Sequence, residues 1–92
     1  MTPETAETLA LQALTYIATD EKAFEGFLNL TGLSVTDVRQ RASDPELQGA
    51  VLDFLLQDEK RLVAFCESCD LAPEEPARAR ALLPGGDVPH YT

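Results

Sequence analysis

Displaced by 38 residues, the chain matches itself, with Leu14–Leu33 lying against Leu52–Leu71 without a gap. Six of the twenty pairs are identical: Leu14/Leu52, Asp20/Asp58, Glu21/Glu59, Lys22/Lys60, Phe27/Phe65 and Leu33/Leu71. Tyr16/Phe54, Ile17/Leu55 and Phe24/Leu62 exchange one large apolar side chain for another. A self-match of this length indicates one supersecondary unit used twice. It is not the tetratricopeptide unit, whose period is shorter and whose Trp and Gly-Tyr signature is missing here.

Each unit reads as three helices. In the first, Thr2 can cap and Pro3 suits the first helical position, and Leu9, Ala10, Ala13, Leu14 and Ile17 recur at helical spacing. Asp20 caps a second helix bearing Phe24, Phe27 and Leu28, which Gly32 can stop in a left-handed conformation. Ser34 and Asp37 form a capping box for a short third helix carrying Val35, Val38 and Ala42. The second unit restarts at Asp44-Pro45, with a stripe of Leu47, Ala50, Val51, Phe54 and Leu55. Asp58 then caps a helix with Leu62, Phe65 and Cys66, and a last helix starts near Pro73 or Pro76 and carries Ala77, Leu82 and Leu83. No stretch alternates as a strand does. The expected fold is all-α, a compact bundle of five or six short helices in two similar three-helix units. Residues 1–84 form the single domain, Pro84-Gly85-Gly86 ends it, and 85–92 is a flexible tail.

Three short helices bury too little to stand alone, so the halves are expected to share one core. Phe27 and Phe65 are placed against each other or in that shared core.

Composition narrows the function. Sixteen Asp and Glu against seven Lys and Arg give a net charge of −9, which opposes broad nucleic-acid binding and adhesion to anionic membranes. No apolar run is long enough to span a bilayer, and no basic start leads into an apolar stretch for secretion. Two cysteines three residues apart do not make a disulfide framework, and a cytoplasmic location is expected.

Few residues could carry chemistry. Asp20-Glu21-Lys22 and its copy at 58–60 set two carboxylates side by side, but neighbouring helical positions diverge, and capping with a first-turn Glu explains them better. Cys66 and Cys69 have the spacing of a metal or redox pair. They stand without two further ligands, since His90 is the chain's one histidine, and they close a helix, where the dipole raises a thiol pKa. Cys66 also aligns with Leu28, which marks a core position. Residues 28–41 have the outline of a helix-turn-helix, with Thr36, Arg39 and Arg41 as candidate nucleic-acid contacts, opposed by Asp37 and by the lack of a basic face. Arg78 and Arg80 can pair with Glu74 and Glu75 or meet an acidic partner. The serines have no histidine near them in sequence, and no glycine-rich loop opens a helix.

The run Val51–Leu71, with Leu52, Phe54, Leu55, Asp58, Leu62, Phe65-Cys66 and Leu71, followed by Ala77 to Leu82, resembles a family of small acidic helical proteins from proteobacteria. That family is catalogued as a domain of unknown function. The similarity runs from about Leu9 to Pro84. It implies a stand-alone cytoplasmic bacterial protein and transfers no functional residue, and Cys66 fits its pattern better than Cys69.

The sequence reading is therefore a non-enzymatic module that binds another protein, without catalytic residues, cofactor or metal. Leu11, Leu30 and Leu56 fall off the main stripes and are either an apolar docking surface or ordinary exposed leucines. The alternatives are a helix-turn-helix protein using 28–41 and a homodimer bridged by zinc at Cys66 and Cys69.

Overall fold

Backbone amides at the start of a helix have no partner within it, and side chains must supply one. This chain does so at five of the six helices that the computed structural model contains among the residues it describes, 1–83. Pro84, the expected tail at 85–92 and His90 lie outside those residues. Helix α1 (Pro3–Ala18) is capped by Thr2, whose Oγ1 accepts from the Thr5 amide at 3.1 Å. Helix α2 (Glu21–Thr31) is capped by Asp20, which accepts from the amides of Lys22 and Ala23. Helix α3 (Val35–Gln40) has the full capping box: the Asp37 amide donates to Ser34 Oγ at 3.1 Å, and the Ser34 amide donates to Asp37 Oδ2 at 3.0 Å. Helix α4 (Pro45–Leu56) follows Asp44, and helix α5 (Glu59–Cys69) follows Asp58, which accepts from Lys60 and Arg61. A cap of this kind stabilises by about 1 kcal/mol.

Helix α6 (Glu75–Ala81) lacks a side-chain cap and has Pro76 in its first turn, where the missing N–H costs nothing. Glu75 instead reaches back to accept from the Ala72 amide at 2.6 Å. Its buried residues are Pro76 and Ala79, not the expected Ala77, which is exposed. The helix stops at Ala81, so Leu82 turns off the stripe into solvent while Leu83 is buried. Likewise α3 ends at Gln40, leaving Ala42 in the connection to α4.

Helices α2 and α5 start and stop at positions 38 apart, and both end in the left-handed region. Gly32 has φ 77° and Asp70 has φ 56°. Glycine adopts this conformation without strain, and Asp is among the few other residues that tolerate it.

Helices α1, α4 and α6 pack on one another, with α2 lying against α1 and α4, and α5 against α4. Ile17, Phe27, Leu52, Leu55 and Phe65 are fully buried in one core. Phe27 and Phe65 are not stacked on each other. Phe65 meets Tyr16 edge-on, with centroids 5.5 Å apart, and Phe27 meets Phe54 at 5.6 Å. In the 38-residue alignment Tyr16 pairs with Phe54 and Phe27 with Phe65, so each ring contact joins one half to the other in the same way.

Arg80 does not pair with Glu74 or Glu75. It crosses to α4, where Nε and Nη2 donate to Asp53 Oδ1 and Oδ2 at 2.6 and 3.1 Å. The guanidinium lies over Gly49, where a Cβ would come within 2.9 Å of Nη1. A side chain at 49 would have to push the guanidinium aside, so glycine leaves the Arg80–Asp53 pair its place. Nearby, buried Gln48 donates from Nε2 to the Ala42 carbonyl at 3.2 Å and fixes the turn into α4, its Oε1 having no partner among the described residues.

Candidate functional site

One apolar concavity that the helices leave open lies where α1, α2 and α3 meet. Helix α3 is too short to cover the late turns of α1 and the outer face of α2. A cleft of about 380 Å³ remains, lined by Leu14, Thr15 and Ala18 of α1, Phe24 of α2, and Val35 and Val38 of α3, with Arg39 at its edge. A second cleft of about 460 Å³ shares Ala18, Phe24 and Val35 with the first and extends past Leu28 to Glu21, Lys22 and Glu25. Together they form one trough with an apolar floor. Thr15 adds little polarity to it, because its hydroxyl already donates to the Leu11 carbonyl at 3.0 Å.

Val35 lines both clefts, as Ala18 and Phe24 do, and is 46% exposed. At the first position of α3 it is the large apolar wall residue that stands exposed to a partner. Arg39 and the glutamates Glu21 and Glu25 rim the trough, and none of the three joins an ion pair among the described residues. The off-stripe leucines are elsewhere: Leu11 and Leu30 are exposed and Leu56 is half-buried, on three different helices, and none lines the trough. The signal that could have found it was the spacing of Phe24, Leu28 and Val35 around the Gly32 turn.

The nucleic-acid candidates share the same small region. Thr36 and Arg39 are exposed on α3, and Arg41 caps its C-terminus. Arg41 is held by Asp44 at 3.4 Å. Asp37, between them, has its carboxyl held below the usual carboxylate range by the Ser34 amide, then by the Ser34 hydroxyl. A negative charge is thus fixed in the first turn of a six-residue helix, less than two turns long.

Cys66 is buried and Cys69 half-buried, both free, on the last turns of α5. Burial foremost, then the charges of Glu75, Cys69 and Glu74, pushes the Cys66 thiol above its ordinary value of 9.0. The thiol therefore stays neutral through the physiological range. Because its folded pKa is raised, its contribution to stability is present below about pH 9 and is lost as pH climbs through the folded value. Thiolates are what alkylating agents attack. Timed iodoacetamide labelling near neutral pH, read by peptide mass spectrometry, is expected to modify Cys69 first and Cys66 at the rate of unfolding; equal rates would contradict this placement. Among the described residues no group of three or more His, Cys, Asp and Glu is arranged to hold a metal ion. No helix among them is long and apolar enough to cross a membrane.

Fold and surface together define a small all-α domain with a single core and an open trough beside its shortest helix, α3. The model of the family described as "Protein of unknown function (DUF3572)" matches residues 3–86, nearly the whole chain, and the chain belongs to that family. No curated protein and no solved structure matches it significantly.

Proposed function

We propose that this chain is a non-enzymatic protein-binding module of the cytoplasm, which receives an apolar helix of another protein in the α1–α2–α3 trough. The observation that carries this reading is Val35, nearly half exposed and lining both the apolar cleft against α1 and the charged-rimmed cleft beside it. Apolar troughs of this kind accept amphipathic helices, whose anchors recur every three or four residues. The free thiols Cys66 and Cys69 suit a reducing compartment.

The test is capture of partners from native lysate by tagged protein, with and without nuclease. Val35→Glu puts a charge into the trough at an exposed site, so its stability should stay within about 0.5 kcal/mol of the parent. Capture of a nuclease-resistant partner is expected to fall at least about tenfold, as burying an unpaired charge at an interface demands. Leu30→Glu is the control: Leu30 is 60% exposed but lines neither cleft, and capture should be unchanged. Equal capture by the Val35→Glu variant would remove the trough from the function, and capture that vanishes with nuclease would replace a protein partner by nucleic acid.

A further inference from the structure

We infer that Cys66 and Cys69 form a redox switch, in which a peroxide closes a disulfide between them that tightens the last turn of α5 and opens the corner into α6. The internal repeat supplies the comparison, because positions 28, 31 and 32 at the end of α2 align with 66, 69 and 70 at the end of α5. In α2 the stop is locked. Thr31 Oγ1 donates to the Phe27 carbonyl at 2.9 Å and accepts from the Leu33 amide at 3.3 Å, and Gly32 takes the left-handed turn without strain. In α5 cysteines replace Leu28 and Thr31, and Asp70 replaces the glycine at φ 56°. Among the described residues no backbone bond holds the Cys69 sulfur, which accepts from the Ser68 hydroxyl at 3.7 Å. Cys66 Sγ instead ties the corner together, donating to the Ala72 carbonyl at 3.8 Å. The Ala72 amide in turn donates to Glu75 of α6 at 2.6 Å.

Access is divided between the two thiols. Cys69 lines a shallow cleft of about 350 Å³ against Gln12 and Tyr16 of α1, while Cys66 is 3% exposed. Hydrogen peroxide in that cleft oxidises the Cys69 thiolate: an S–O bond forms, the O–O bond breaks, and hydroxide leaves as water with the thiol proton. Cys66, one turn back, then attacks the Cys69 sulfur; an S–S bond forms, the S–O bond breaks, and a second water carries off the Cys66 proton. Proximity of the two sulfurs offsets the raised thiol pKa of Cys66. Helical positions three apart hold their Cβ atoms about 5–6 Å from each other, whereas a disulfide needs about 3.5–4.5 Å. The turn must therefore tighten toward 3₁₀ geometry, in which such positions eclipse, and Cys66 gives up the Ala72 carbonyl. A disulfide closed under strain is readily reduced again, as a reversible switch in a reducing compartment requires.

The test treats whole, reduced protein with stoichiometric hydrogen peroxide, alkylates it in denaturant and weighs the tryptic peptide Leu62–Arg78, which holds both cysteines. The expected product is that peptide lighter by two hydrogens and unalkylated, with both thiols restored by dithiothreitol. Amide signals from Glu67 to Glu75 should shift on oxidation and return on reduction, while those of Leu28 to Leu33 stay in place. Cys69→Thr copies the α2 stop and removes the accessible thiol, so under the same peroxide Cys66 should remain a thiol and the corner signals should not move. Sulfinic acid at Cys69 of the parent with Cys66 still alkylated, or a disulfide between two chains, would overturn the pairing. A disulfide that forms without moving the corner amides would be a passive cross-link and would overturn the switch. Closure in denatured protein alone, or oxidation of Cys66 in the Cys69→Thr variant at the parent's rate, would overturn it also.

Discussion

Phe65→Ala is expected to lower the free energy of unfolding by about 3–5 kcal/mol, and Phe27→Ala by a similar amount. Both rings are fully buried, and each closes on an aromatic ring of the opposite half. Removing either leaves a cavity at the junction of the halves, where no single helix can shift to fill it without losing its other contacts. In a domain this small each kcal/mol moves the midpoint by about 4–8 °C. Thermal unfolding followed by circular dichroism should therefore fall by at least about 12 °C for each variant. A Phe65→Ala midpoint within a degree or two of the parent would show that the ring is not at the junction. Phe54 makes an instructive comparison, since the Arg61 guanidinium lies 4.8 Å from its ring centroid and Phe27 meets the same ring edge-on at 5.6 Å. That cation rests on a ring whose position depends on Phe27, so Phe27→Ala disturbs the surface as well as the core.

What the chain announces in its sequence is what it decides locally. A cap needs a side chain and an amide two or three residues on, so Thr2, Asp20, Ser34, Asp44 and Asp58 could be read directly, as could the Gly32 stop. The Arg80–Asp53 pair could not, because its partners are 27 residues apart and meet only after α6 docks on α4. The same docking sets the Arg80 guanidinium over Gly49, a neighbour that local sequence does not announce. Helix α6 is less legible: it has no side-chain cap, it ends before Leu82, and the burial of Ala79 is imposed by its neighbours and not by its own pattern. The trough was missed for a related reason. Periodicity marks Leu11, Leu30 and Leu56 as off-stripe, but whether an on-stripe residue is covered depends on the reach of the next helix, and α3 has only six residues. Cys66, by contrast, was legible as a core position because its aligned residue, Leu28, is apolar and because a buried cysteine packs as a small hydrophobe.

Leu52→Ala is expected to cost about 2–5 kcal/mol, whereas the same substitution at the aligned Leu14 should cost about 1–2 kcal/mol. Leu52 is fully buried in α4, while Leu14 is half-buried on α1 and forms a wall of the trough. The two leucines occupy equivalent places in the 38-residue alignment, so local sequence cannot explain a difference between them; tertiary surroundings must. The two variants should separate in opposite directions. Leu52→Ala should melt early and, at temperatures where it remains folded, capture partner as the parent does. Leu14→Ala should melt close to the parent and capture less, because deleting its side chain removes part of the apolar wall that a helix would cover. Chemical unfolding at one temperature and capture by folded protein measure the two effects independently. Should Leu14→Ala prove as destabilising as Leu52→Ala, Leu14 would belong to a closed core, and the trough would be no more than a seam between packed helices. A small stability cost with a large loss of capture instead ties the surface to function, since core leucines are held for folding and exposed apolar walls persist where something covers them.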